Sequence, residues 1–219
     1  MTAIFYFFIF RILLQYPYLL AALVLAYVLR DRIPSPSEYF RRRKAFARLN
    51  RDVELNPYNS EARRDLGMIY LAKGMPKEAL EHFREALKKE ADSAEINHFV
   101  GLSLLRTGKP DEAVVYLEKS IQIDPKLKYG ESYLYLGEAR FATGKTEAAL
   151  ENLKTFLARY NSSIEGLYYY ATALNTLGRK EEARKAAEDG IRYHKANPSF
   201  RRKRDWRWNV KLKRMKRTL

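Results

Sequence analysis

Gly67, Gly101, Gly137 and Ala171 stand 34, 36 and 34 residues apart, and two further sets keep the same steps. One set is Gly74, Gly108, Gly144 and Gly178, and the other is Ala79, Ala113, Ala149 and Ala183. Small residues returning at this interval, with apolar residues between them at helical spacing, describe stacked helical hairpins. No single hairpin of that length buries its own apolar face, so each needs its neighbours. The expected class is therefore all-α, a solenoid of helix-turn-helix units.

The register can be followed residue by residue. Leu66-Gly67, Tyr70, Gly74, Ala79, Phe83 and Ala86 mark the first full repeat. Val100-Gly101, Leu104, Gly108, Ala113, Leu117 and Ser120 mark the second, and Leu136-Gly137, Arg140, Gly144, Ala149 and Leu153 the third. The fourth drifts, with Tyr170-Ala171, Leu174, Gly178, Ala183, Ala187 and Gly190. The four later glycines predict left-handed helix stops at the hairpin turns. Two extra residues near Lys126–Tyr129 lengthen one connection. Carried backwards, the register makes residues 38–57 a partial repeat that caps the stack, its helix starting after Ser35 or Ser37.

These positions resemble the tetratricopeptide repeat family over residues 58–198. The resemblance implies a right-handed superhelical solenoid that binds proteins or peptides along the face made by the first helix of each hairpin. Carried onto this chain, those positions include Arg64 and Met68 in the first repeat, His98 and Arg106 in the second, Tyr135 and Phe141 in the third, and Tyr168, Tyr169 and Asn175 in the fourth. The result is an aromatic and apolar groove with a few charges, suited to a peptide or helix. The family's carboxylate clamp for chaperone tails is not matched. Arg64 fits its first place, but Met68, Phe99, Glu131 and Tyr135 stand at the others.

Ahead of the repeats, residues 1–30 read as a single transmembrane anchor. From Ala3 to Leu29 only Arg11 and Gln15 are strongly polar. Ile12–Leu29 would span roughly 27 Å as a helix, close to a bilayer core. Arg11 would snorkel to the interface, and Pro17 would kink the helix or divide it into an interfacial and a re-entrant piece. Residues 31–37, Pro-rich, form a linker. Arg30, Arg32, Arg41, Arg42, Arg43 and Lys44 follow the apolar run, which by the positive-inside rule puts the repeats in the cytoplasm, expected at a bacterial inner membrane. Membrane-anchored members of the family are similar in order.

The net charge of +15 is concentrated at the other end. Residues 200–219 carry ten Lys/Arg and one Asp, whereas residues 59–199 are almost neutral. In the segment 199–219, Arg201, Arg202, Lys203, Arg204, Trp206, Trp208, Lys211, Lys213 and Arg214 are candidate contacts to anionic lipid or RNA, the alternative being a solvated tail. On a helix, Trp208, Leu212, Met215 and Leu219 make one stripe, with Trp206 and Val210 on the far side. An RNA- or ribosome-binding protein acting through this tail is the second functional expectation. There are no cysteines, and His82, His98 and His194 are scattered. No phosphate loop, nucleophile constellation or metal-ligand spacing is present, so neither an enzyme nor a cofactor is expected.

Overall fold

The computed structural model describes residues 36–219 together with Gln15, Tyr16, Tyr18, Ala21 and Val24. Apart from those five residues, the expected anchor, with Arg11 and Pro17, and residues 31–35 of the linker lie outside the described residues. Among those described, no helix is long and apolar enough to cross a membrane. Two compact units divide the chain, residues 1–48 and 49–219. Ten helices are present and no strand among the described residues.

Helix α1 (Pro36–Leu55) begins two residues before Glu38. Proline suits that place, since the first helical N–H has no intrahelical partner to lose. Four hairpins follow: α2 (Ser60–Ala72) with α3 (Pro76–Leu87), α4 (Ala94–Arg106) with α5 (Pro110–Ile123), α6 (Glu131–Ala142) with α7 (Thr146–Arg159), and α8 (Ile164–Thr176) with α9 (Lys180–Ala196). A last helix, α10 (Ser199–Thr218), closes the chain.

Local chemistry explains the boundaries. Asn59, Ser93 and Ser163 precede α2, α4 and α8, and each side chain accepts a backbone N–H from the first turn. Pro76 and Pro110 open α3 and α5. At the four hairpin turns the glycines have φ of +74°, +78°, +78° and +75°. The residue after each donates its N–H to a carbonyl five residues back, for example Met75 to Tyr70 at 2.9 Å and Arg179 to Leu174 at 2.9 Å. This is the expected left-handed stop, and it satisfies carbonyls that would otherwise be orphaned.

The third repeat departs from the pattern where the extra residues fall. Leu127–Gly130 form a 3-10 turn with Lys128 and Tyr129 at positive φ, and α6 starts after Gly130, which offers no side-chain cap. The two inserted residues are absorbed here as backbone strain, leaving the helices in register.

Small residues seat large ones within each hairpin. A Cβ on Gly67 would lie 2.6 Å from the Phe83 ring, one on Gly101 2.5 Å from Leu117, and one on Gly137 2.6 Å from Leu153. In the fourth hairpin the same positions hold Ala171 and Ala187, both fully buried. The helices approach through these fits, and larger side chains such as Val100, Leu104, Phe156 and Leu174 fill between hairpins. The core is continuous in two clusters that meet at α6.

Helix α10 belongs to that core. Leu212 is fully buried, and Trp208, Met215 and Leu219 pack against the second cluster, so the stripe seen in the sequence is the docking face. Gly190 of α9 makes room for it, since a Cβ there would meet Leu212 at 2.6 Å. The basic tail is thus a folded end-cap on α8 and α9.

Gly101→Ala tests the within-hairpin fit. Its Cβ would press on Leu117 and lie 3.3 Å from the Ala113 carbonyl, which cannot retreat. Thermal unfolding should show a loss of about 1–3 kcal/mol; an unchanged melting temperature would mean that the close approach is not needed.

Candidate functional site

The first helices of successive hairpins, α2, α4, α6 and α8, lie side by side and share one face. Its centre is a polar cluster spanning three repeats. Arg106 of α4 donates to Glu138 of α6 at 2.7 Å, lies 3.7 Å from Glu165 of α8, and sits over the Tyr135 ring at 5.5 Å. Tyr169 donates its hydroxyl to the same Glu138 Oε1 at 2.6 Å, while Glu138 Oε2 is buried with no hydrogen-bond partner. Burial, helped by Glu138, pushes the Tyr169 phenol up, and burial with Glu165 does the same at Tyr135. Glu165 is raised to about 7 by burial and by the neighbouring Glu138, against the pull of Arg106.

Two hollows flank this cluster, with Tyr135 in the wall of both. One, of about 380 Å³, is edged by Leu71, Leu102 and Arg106. The other, of about 640 Å³, opens between α6, α8 and α10. Glu131, Glu165 and Asp205 line it, with Tyr129 and Tyr160 on one side and Arg201 and Arg204 on another. The strained turn before α6 holds Tyr129 outward at this mouth, 6.3 Å from Tyr160 ring to ring.

The sequence-derived groove residues separate into groups. Arg106, Tyr135 and Tyr169 come together. Arg64 pairs with Asp65 at 3.0 Å and lies 3.8 Å from Glu95. Met68 and Asn175 are exposed. Phe141 and Tyr168 pack into the second core cluster. Tyr168 and Tyr169 lie against Trp208 at 5.3 and 5.4 Å, so α10 covers this part of the fourth repeat. Lys211 caps the stack over Trp208 at 4.3 Å.

His98 is buried, and its bonds decide its form. Ser120 Oγ must donate to the Ala94 carbonyl (2.8 Å), so Ser132 donates to Ser120 (3.0 Å) and the imidazole Nδ1–H donates to Ser132 (2.8 Å). Burial, with Lys128 nearby, holds the ring neutral, with a pKa lowered to about 3. Glu131, 3.9 Å from Nε2, therefore faces an uncharged ring. His98 is a packed strut between α4, α5 and α6 and not an exposed groove contact.

Glu165 and Asp205 were missed from the sequence, although a signal for one was present. Glu61, Glu95, Glu131 and Glu165 recur at the repeat steps, each in the first turn of its helix. Read alone, they are carboxylates complementing a helix N-terminus. In the stack each of the last three also meets a side chain of the preceding hairpin: Arg64, His98 or Arg106.

A tetratricopeptide repeat family model matches residues 42–94, 64–127 and 134–199. The chain is similar to a DnaJ homolog subfamily C member 7 homolog of Schizosaccharomyces pombe, 28% identical over 179 residues, covering 75% of this chain and 37% of that protein. It thus spans well under half the length of that relative. Among solved structures, PilW, a type IV pilus biogenesis factor, superposes with a TM-score of 0.64 at 24% identity, over 83% of this chain and 86% of PilW. YrrB, a repeat protein with an unusual peptide-binding site, superposes with a TM-score of 0.61 at 20% identity, over 72% and 80%. At these identities the likeness is one of fold.

Two measurements probe the site's energetics. Ser132→Ala removes the middle of the relay and strands buried groups on His98 and Ser120; it should cost about 1–3 kcal/mol in chemical denaturation, and a neutral result would refute the relay. For Glu165, the unfolded carboxyl ionises from its ordinary value upward while the folded one keeps its proton to about 7. Stability therefore falls as pH rises through that window. Glu165→Gln should melt higher than the parent at pH 8, with the advantage shrinking towards pH 5. A lower melting temperature at pH 8 would instead make Glu165 a net stabilising partner of Arg106.

Proposed function

The chain belongs to the tetratricopeptide repeat family, and from that premise we propose that it is a membrane-anchored scaffold that holds a segment of a protein partner on its inner face. The observation that carries this reading is the face itself. From Met68 to the hollow beside α10 it offers apolar, aromatic and charged groups across four repeats, and it ends where Trp208 covers Tyr168 and Tyr169. A peptide strand or helix fits the two hollows, with Tyr135 between them. The partly buried carboxylates of Glu131 and Glu165, both held above the usual carboxylate range by burial, favour a segment that brings a cation. In this reading the apolar run Ile12–Leu29 is the anchor, and the Arg/Lys residues after it favour the cytoplasmic side for the repeats. The fold's role is recruitment rather than chemistry, as in its family.

Site-directed photo-crosslinking of the full chain in its native membrane tests the groove. A crosslinker at Leu102, on the inner face, should give a discrete protein adduct that Tyr135→Ala diminishes; one at Lys154, exposed on the second helix of the third hairpin, should not. Equal adducts from both positions, or none at Leu102, would reject the inner face as the docking site. Alkaline extraction checks the anchor separately: the chain should stay in the membrane pellet, and its release would reject anchoring.

A further inference from the structure

We propose that the outward face of α10 is a docking surface for an anionic lipid bilayer. The helix is amphipathic twice over. Trp208, Leu212, Met215 and Leu219 are turned onto α8 and α9. That leaves the opposite arc to solvent, and at about 100° per residue it collects Arg202, Lys213, Trp206, Arg217, Val210, Lys203, Arg214 and Arg207 within about 140°. Trp206 and Val210 are 54% and 46% exposed, one helical turn apart, in the middle of six cations. The single acid of α10, Asp205, faces the hollow beside α6 and α8 instead. Arg207 lies over the indole of Trp206 at 5.9 Å.

The chemistry of that arc points to a lipid headgroup layer. A straight helix of about 30 Å with an indole and a branched aliphatic between cations matches the headgroup–acyl boundary, where Trp settles and Lys/Arg meet phosphates. Single-stranded RNA asks for something else: a groove tracking the backbone and several stacking platforms. This arc is convex and holds one central aromatic. The fold also answers why such a face persists on an ordered helix. Its opposite side is held by Leu212 against Gly190, so the cations stay aligned whether or not a surface is near. The apolar run Ile12–Leu29 would keep a bilayer within reach, though the arc does not depend on it. The inference is independent of what the groove binds.

Both tryptophans of the chain lie in α10, one outward and one packed, which makes fluorescence a direct readout. The full chain is reconstituted with brominated phosphatidylcholine, either alone or with phosphatidylglycerol. The Trp208→Phe variant, which reports Trp206, should be quenched in the anionic bilayer and not in the neutral one. That quenching should disappear near 1 M salt, where the screening length falls to about 3 Å. Trp206→Phe, reporting the packed Trp208, should show little change between bilayers. Arg207→Glu with Lys213→Glu and Arg214→Glu should reduce the signal to its neutral-bilayer level while far-UV circular dichroism stays unchanged. If the chain does not insert, flotation with anionic but not neutral vesicles reads the same contact. Equal quenching in the two bilayers would overturn the proposal. So would displacement of the anionic contact by a short RNA that binds the same face more tightly, which would reassign the arc to nucleic acid.

Discussion

Everything in the repeat unit depends on one steric fit, a side chain of the second helix entering the space where a Cβ is missing on the first. Phe83 over Gly67, Leu117 over Gly101 and Leu153 over Gly137 repeat it three times. The fit sets how closely the paired helices approach, and that distance fixes the angle at which each hairpin presents its first helix to the next. The shared inner face is therefore a consequence of packing on the opposite side. Where the fit changes to Ala171 with Ala187, two small residues replace the small–large pair, and the chain adds a further helix directly on this hairpin. Leu212 entering beside Gly190 is the same device used once more, now between a repeat helix and the end-cap.

The end-cap alters what the inner face can be. Without α10, the fourth repeat would expose Tyr168 and Tyr169 as an aromatic shelf. With it, Trp208 takes that shelf and Lys211 lies over the stack. The accessible surface moves toward the third repeat, where the turn at Lys128 and Tyr129, both at positive φ, sets Tyr129 in the wall of the hollow. A two-residue insertion and a terminal helix thus meet at one hollow, each acting on it from a different side.

How much of this could be read in the sequence differs by interaction type. The hairpin turns were legible because glycine at a helix stop has a local cause, and each of the four has the positive φ that cause requires. The docking stripe Trp208–Leu212–Met215–Leu219 was legible as periodicity, but periodicity does not say whether a face meets protein, lipid or solvent. His98 could not be placed, because its burial depends on Ser120 and Ser132 from two other helices. Glu165 was hidden for a related reason. As a first-turn acid it already has an adequate local explanation, and its raised pKa arises only when stacking brings Glu138 close and removes water.

These two buried groups act on stability in opposite directions. Neutral His98 favours the folded state increasingly as pH rises from about 3 to the ordinary imidazole range, because within that window the unfolded ring takes a proton the folded one refuses. Glu165 disfavours the folded state as pH rises from the ordinary carboxylate range to about 7. Between those ranges the two slopes oppose, so each partly masks the other in the parent protein's pH profile. A ligand cation seated near Glu165 would remove only one of the slopes. The empty groove keeps a proton on Glu165 to about 7, so a ligand cation seated there would be held more tightly as pH rises through that window, while His98, two repeats away, acts on stability alone.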